Sequence, residues 1–470
     1  MSDSIAREFA RWSVGLTFDD LPAPVVDKVK AVLLQGLIAS VYGAEMPPMR
    51  DMVRLTIAEE GKPDGATVLV AGEQATRVGA AYANTELMYA AGLYDYYQAL
   101  THPGPILVST ALANGELEGS DLREIITALA AGYEVTCRLA DQFVPSTFAR
   151  GFRPASVFPT VGAATVAAKL MDLDEDRTLA AIALAANSAS GLAEAGRSGG
   201  TENAGHLPHA TRSGVFAAVM ARTGRVRGSE QVIEGDAGFY NAFVGNHLGQ
   251  LRYSHDGRTR VDMHSIVEDL GAAYRLLEVT FHMYPLHGAS QPVIDLLTEM
   301  RQRHAFEAED IERVTVRVSY LDTVYPSPAF PRATVWPPGA GTIHYYAAHV
   351  AVHGGYPQIG GAPSTPHGGH AAPDAAALEF AQTRVSVVGE YGRPMFSPEV
   401  EVRMTDGTTH VDEYPYARMF WGFDDLVARL EGSAAAYPLG RPAFDALVDA
   451  VRHAERLESP DALFRLVARE

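Results

Sequence analysis

The sequence predicts a mainly helical protein interrupted by one α+β segment. Three observations lead there. Apolar residues recur at helical spacing through the chain up to about residue 272. Alternating, strand-like patterns appear after about Glu278, and helical spacing returns from Phe423 to the end.

The elements follow in order. Between Pro24 and Gly43, Leu34, Leu37, Ile38 and Val41 fall on one helical face, with Pro22 and Pro24 before it and Gly43 near its end. Val78 to Leu93 is apolar and alanine-rich, a buried helix running into a polar, aromatic stretch. A further apolar helix begins at Pro105 (Ile106, Leu107, Ala111, Leu112), and another spans Leu122 to Phe143 after Gly119-Ser120-Asp121. Ala155 to Leu170 and Arg177 to Ser188 are rich in small residues. Gly162, Ala163, Ala167 and Ala168 there predict close helix–helix approach. With Thr211 to Arg222 added, the first half is expected to be all-helical, its loops carrying the polar residues. A helix is then expected at Pro292. Ile311 to Tyr320 alternates through Val314, Val316 and Val318, and Arg384–Val388 and Val400–Met404 read as strands too. Asp406-Gly407 turns the last of these into Thr408–Val411. Gly341 to Gly355 is a helix carrying Tyr345 and Tyr346, and Tyr356 to Pro373 is a loop dense in Gly, Pro and His. From Phe423 onward, Leu426 and Leu430, then Phe444, Leu447 and Val451, mark helices.

Composition narrows the function. At 470 residues the chain suits two or three domains, or one large domain with a cap. The formal charge of 38 − 57 = −19 argues against nucleic acid or an anionic membrane as partner, so an anionic substrate needs positive groups concentrated locally. One cysteine, Cys137, excludes an intramolecular disulfide and a cysteine-ligated metal cluster within the chain. His367 and His370 have no acidic or cysteine partner close in sequence, so no metal site is expected there. The polar start and the lack of a membrane-length apolar run make the cytoplasm the expected location. There is no internal repeat, no strand–Gly-loop–helix phosphate motif and no Gly-x-Ser-x-Gly elbow.

The chemistry is expected in Gly92–Gly104. Asp95 and His102 stand seven positions apart, Tyr94, Tyr96 and Tyr97 surround the acid, and Pro103-Gly104 breaks the chain before a helix. An acid and an imidazole ahead of a helix start suit proton transfer.

Further segments extend this. Thr101-His-Pro-Gly104 follows Asp95, and Gly151-Phe-Arg-Pro-Ala-Ser156 opens an alanine-rich helix. His206 to Gly214-Val215 enters another helix, Glu234-Gly-Asp-Ala-Gly-Phe239 follows, and Tyr284-Pro285 precedes Pro292. In order and spacing these resemble the MmgE/PrpD family, whose members include 2-methylcitrate dehydratase, cis-aconitate decarboxylase and iminodisuccinate epimerase. The resemblance covers most of the chain. It implies a large helical domain built from both ends (residues 1–272 and 414–470), a smaller inserted α+β lid (273–413), a homodimer, and a site between domain and lid whose chemistry needs no cofactor; the lack of a ligand cluster in the sequence adds the expectation of no catalytic metal.

Residue by residue, the resemblance assigns Asp95 and His102 as acid and histidine, His206 as the histidine of a Lys-Pro-x-His loop, and Tyr346 as a tyrosine of the lid helix. Three positions depart. Arg153 stands where the family usually has the histidine of Gly-Phe-His-Pro, Asn203 where it has the lysine of Lys-Pro-x-His, and His282 where it has the lysine of Lys-Pro-Tyr-Pro. The implied roles make His102 the base or acid, held in its tautomer by Asp95. Arg153 binds a substrate carboxylate, with Asn203 beside it. Tyr346 donates a proton or hydrogen bond, and His206 and His282 are candidates for the second proton-transfer group. The expected function is a lyase or isomerase moving a proton at a carbon next to a carboxylate or imine, on a small carboxylic acid other than 2-methylcitrate or cis-aconitate. The alternative is an inactive homologue that keeps the dimer but not the reaction.

Overall fold

The structure is a computed structural model, and it describes residues 3–98, 100–198, 200–283, 288–323, 342–355 and 374–469. The expected Tyr356–Pro373 loop, with His367 and His370, and the Tyr284-Pro285 pair lie outside the described residues.

The chain opens with α1 (Ile5–Gly15), α2 (Ala23–Ala44) and α3 (Pro47–Glu60), then a two-stranded ribbon of β1 (Gly61–Thr67) and β2 (Gln74–Ala75). Next come α4 (Arg77–Ala90), the two-residue strand β3 (Asp95–Tyr96), α5 (Pro103–Glu118), α6 (Leu122–Ala140), α7 (Val144–Ala149), α8 (Pro154–Leu170), α9 (Glu175–Ser188), the single turn α10 (Ala195–Ser198), α11 (His206–Arg222) and α12 (Phe239–Phe243). The helices expected from the sequence are all present. Their packing shows why the small residues are needed. A Cβ on Gly162 of α8 would lie 2.0 Å from Thr136 Oγ1 and 2.7 Å from the Gly132 carbonyl of α6, so α6 and α8 touch backbone to backbone.

The expectation of an all-helical first half needs correction. The β1–β2 ribbon breaks it, and so does β3, which pairs antiparallel with β4 (Thr280–Phe281) in the register Asp95↔Phe281 and Tyr96↔Thr280. Two-residue strands carry too little alternation to be read from sequence. For β3 and β4 the pairing also joins segments far apart along the chain.

The α+β segment follows: α13 (Ser290–His304), β5 (Ile311–Ser319), α14 (Tyr320–Thr323), α15 (Ile343–His353), α16 (Ala375–Arg384), β6 (Val385–Glu390), β7 (Glu399–Met404) and β8 (Thr409–Glu413). Its sheet runs β6-β5-β7-β8. The β5–β6 pair is parallel and the rest antiparallel, with Gly407 at φ 90° in the β7–β8 turn. Val314, Val316 and Val318 point to the covered face, against α13, α15 and α16, as their alternation predicts. The parallel β5–β6 crossover carries α15 and α16, which is why a face of the sheet is covered by helices.

Finally α17 (Phe423–Ala434), α18 (Arg441–Arg452) and α19 (Asp461–Val467) return to pack on α2. Buried apolar residues fall into two main cores. One joins the chain from Ile5 to Met283 with Trp421–Val467, and the other joins Ala289–Met419 with Tyr96. The molecule is thus mainly α with one α+β segment, and Tyr96 carries the second core onto the β3–β4 ribbon. No described helix is long and apolar enough to cross a membrane.

Candidate active site

The site is assembled at the β3–β4 ribbon. Tyr97 N–H donates to Thr101 O at 2.8 Å, turning the chain back on itself and returning His102 to Asp95. His102 is the last residue before α5, with φ −117° and ψ 79°, and Pro103 occupies the first helical turn where its missing N–H costs nothing. On the opposite strand, His282 N–H donates to Tyr94 O at 2.8 Å, which extends the β3–β4 pairing by one residue. The histidines of two distant segments therefore meet. Their ring centroids are 5.9 Å apart, and Tyr94 touches both, at 4.6 Å from His102 and 5.1 Å from His282. Tyr96 closes the other side of His282 at 4.5 Å.

Asp95 acts differently from the expectation. His102 Nδ1 lies 3.2 Å from the main-chain carbonyl of Asp95, not from its carboxylate. A carbonyl only accepts, so Nδ1 carries the proton and Nε2 keeps a free lone pair. The Asp95 carboxylate turns away. Its Oδ1 accepts from Gly104 N at 2.6 Å and its Oδ2 from Tyr133 Oη at 2.6 Å, so it caps the start of α5. A Cβ on Gly104 would come within 2.5 Å of Oδ1, so that position admits only glycine without a shift. Burial pushes the Asp95 carboxyl up to about 7, against the opposing pull of Tyr133, Gly104 and the Lys28 ammonium.

Arg153 stands at the N-terminal end of α8, half-buried, its Nη2 donating to Tyr89 Oη at 2.7 Å. The Tyr89 ring in turn packs on Tyr94 at 5.1 Å. The guanidinium is felt by both nearby imidazoles. Burial holds His102 well below the ordinary histidine value, and repulsion from His282 and Arg153 adds to it. Burial, then Arg153, brings His206 down to about 4. His206, at the start of α11, faces the Gly191 turn, and its Nδ1 is buried without a hydrogen-bond partner among the described residues.

The structure thus brings Asp95, His102, His282, Arg153 and His206 into one region. Asn203 sits half-buried on the turn Glu202–Gly205 just before His206, and its side chain makes no hydrogen bond among the described residues. Tyr346 lies on α15 within the second core, fully buried, edge-on to Tyr345 at 5.5 Å. Among the described residues no three His, Cys, Asp or Glu side chains are grouped to hold a metal. Sequence reasoning missed Tyr133 and Tyr89, the partners of Asp95 and Arg153. Each is a tyrosine inside an apolar helix, with nothing local to set it apart from a packing residue.

This geometry gathers the His102 and His206 imidazoles, both held below the ordinary histidine value, around the Arg153 guanidinium, with the phenols of Tyr89 and Tyr94 packed beside them. Comparison with known proteins decides its relationship. A model of the MmgE/PrpD N-terminal domain matches residues 7–250, more than half of the chain. The chain belongs to the MmgE/PrpD family. Relatives include the cis-aconitate decarboxylase-like protein oryM of Aspergillus oryzae, 24% identical over 338 residues (67% of this chain and 66% of that one). The cis-aconitate decarboxylase of Aspergillus terreus is 23% identical over 307 residues (64% and 61%), and the human cis-aconitate decarboxylase is 26% identical over 345 residues (69% and 67%). The match spans a little under two thirds of the length of the two fungal proteins. Within this MmgE/PrpD chain, the matched domain contains Asp95, His102, Arg153 and His206, whereas His282 and Tyr346 lie beyond it.

Proposed function

We propose that this protein is a lyase of the dehydratase or decarboxylase type, acting without a cofactor on a small carboxylic acid. The observation that carries the reading is the His102 imidazole: buried, neutral near pH 7, and protonated on Nδ1 by its bond to the Asp95 carbonyl. That leaves Nε2 as a base close enough to Arg153 to feel its positive charge. A carbon next to a carboxylate is a weak acid, and its carbanion resembles an enediolate. Removing its proton needs a base in contact and a cation or hydrogen-bond donors at the developing oxyanion.

In this reading Arg153 binds the substrate carboxylate with parallel hydrogen bonds. His102 takes the proton, and His282 returns one to the leaving group or to the carbon; His206, brought down to about 4, is neutral near pH 7 and serves as a hydrogen-bonding group rather than the acid. Asp95 is a positioning residue, and Tyr346 closes the site as a donor from the lid. The similarity to a cis-aconitate decarboxylase and a cis-aconitate decarboxylase-like protein supports decarboxylation within the same proton chemistry. Dehydration and epimerisation share the carbanion step.

The test is exchange of the α-proton in deuterated water, followed by NMR across a panel of mono-, di- and tricarboxylic acids. Wild-type protein is expected to exchange or convert at least one acid, and His102→Ala to lose this. Absence of exchange and turnover across the panel, with ligand-induced thermal shifts retained, would overturn the catalytic reading in favour of a binding homologue.

A further inference from the structure

Two long polar side chains of helix α2 are buried among its apolar residues. Lys28 and Gln35 are only 2% and 3% exposed and stand seven residues apart, two helical turns or about 10 Å. Both reach the same extended segment. Lys28 Nζ donates to Val279 O at 2.7 Å, and Gln35 Nε2 donates to His282 O at 2.9 Å. Those carbonyls are three residues apart, again about 10 Å in an extended chain, so the helix repeat matches the strand repeat. Lys28 also donates to Trp421 O at 2.5 Å, and its ammonium lies 5.0 Å from the centre of the Phe281 ring. One ammonium therefore ties together the chain leading into the α+β segment and the chain leading out of it.

The other side of the segment is held as well. Gln291 of α13 brackets it, donating from Nε2 to Phe281 O at 2.8 Å and accepting at Oε1 from Met283 N at 3.1 Å. Together with the β3 pairing and the His282 N–H bond to Tyr94 O, these bonds hold the backbone around His282 from three directions. Burying an ammonium and an amide in an apolar helix face is costly unless each finds partners. An apolar pair would pack α2 equally well but would leave these carbonyls unpaired.

We infer that Lys28 and Gln35 are positioning residues for the active site: they set where the His282 imidazole stands relative to His102. The inference rests on the proposal that His282 faces substrate. Neither side chain touches the reacting atoms. They act through the backbone of residues 279–282, with Tyr94 and Tyr96 transmitting the constraint to the ring.

The test uses the full chain with histidines labelled at Cε1, the His282 resonance being assigned by its loss in His282→Gln. Three variants are compared: Lys28→Met, Gln35→Met, and Ser40→Ala as a control, since Ser40 is buried on the same helix and bonds to Leu37 O of its own turn. The first two are expected to shift or broaden the His282 resonance, and Ser40→Ala to leave it in place. With any substrate from the panel, kcat should fall about tenfold to a hundredfold with KM nearly unchanged, as for a catalytic group misplaced by about an ångström. A melting temperature that drops while the His282 resonance stays put would overturn the inference and leave a purely structural role. If Lys28→Met does not fold, Gln35→Met decides alone. A wild-type protein that turns over nothing counts against the catalytic reading only, because the resonance arm reads position without substrate.

Discussion

His102 Nδ1 is bonded to the peptide carbonyl of Asp95 at 3.2 Å, while the Asp95 carboxylate faces the opposite way toward Gly104 and Tyr133. The tautomer of the histidine is therefore set by main chain, and the side chain of Asp95 sets only where that main chain runs. Asp95→Asn keeps an acceptor for Gly104 N–H and leaves the Tyr133 hydroxyl free to rotate, so it is expected to fold normally. Asp95→Ala strands two buried donors, at about 1–3 kcal/mol each. Denaturant melts of the two variants check this. Equal destabilisation would show that the charge, not the hydrogen bonding, matters.

His102→Ala is expected to fold and to lose roughly 10²–10⁴ in rate, the contribution of a positioned base. His102→Gln should be nearly as damaging, since it keeps shape but cannot exchange the proton. Retention of more than about a tenth of the wild-type rate would place the base elsewhere, with His206 and His282 the candidates.

Acid should act on stability through the buried imidazoles. His206 lies at about 4 in the fold against an ordinary 6.5, and His102 is also depressed. Between those values the unfolded chain binds protons that the folded chain does not. By linkage, the stability these rings contribute is complete above 6.5 and is lost as pH falls toward about 4. A histidine NMR titration should find His102 still neutral at about pH 6, just below the ordinary histidine midpoint. A midpoint near 6.5 for His102 would contradict its burial against Arg153 and His282.

Asp322 provides the opposite sign. It is buried in the α+β segment, its Oδ2 accepting a long bond of 3.4 Å from Phe396 N and its Oδ1 having no partner among the described residues. Burial pushes its carboxyl from 3.8 up to about 7. The folded chain therefore holds this proton where the unfolded chain has lost it, and stability falls as pH rises from about 3.8 to about 7, by at most about 4 kcal/mol. Asp322→Asn stays neutral throughout, so its melting temperature relative to wild type should rise between about pH 4 and about pH 7. A constant difference would show that Asp322 is ionised in the fold.

Helices and the longer strands were legible in the sequence because each carries its own period. Val314, Val316 and Val318 announce their face without knowledge of a partner. The junction that builds the site was not legible. Asp95–Tyr96 and Thr280–Phe281 are too short to show a pattern, and their pairing decides that His102 and His282 meet. The direction of the Asp95 carboxylate was hidden for the same reason, since Tyr133 reaches it from a different helix. Lys28 and Gln35 did leave a signal: two polar residues seven apart on the apolar face of α2. Such a break in an apolar stripe marks a buried polar partner, though not which one.

On the proposed function, substrate choice is expected to follow the charges at three positions. By the resemblance described above, Asn203 and His282 stand where lysines are expected and Arg153 where a histidine is expected. Of these three, only Arg153 bears a permanent charge. A tricarboxylate bound here would face one guanidinium where the usual family pattern offers two lysines. Removing a charge-assisted hydrogen bond to a carboxylate costs on the order of 1.5–3 kcal/mol, or roughly one to two decades in affinity or rate. Both cis-aconitate and 2-methylcitrate are therefore expected to be poor substrates, with kcat/KM well below that of the best mono- or dicarboxylic acid in the panel. Asn203 offers the cleaner restoration, because its side chain has no hydrogen bond to lose among the described residues and it lies beside His206. Asn203→Lys should raise kcat/KM for the tricarboxylates about tenfold or more while leaving a monocarboxylate unchanged. If the wild-type protein already turns over cis-aconitate faster than the smaller acids, the charge argument fails, and the carboxylates must be held by groups other than Arg153, Asn203 and His282.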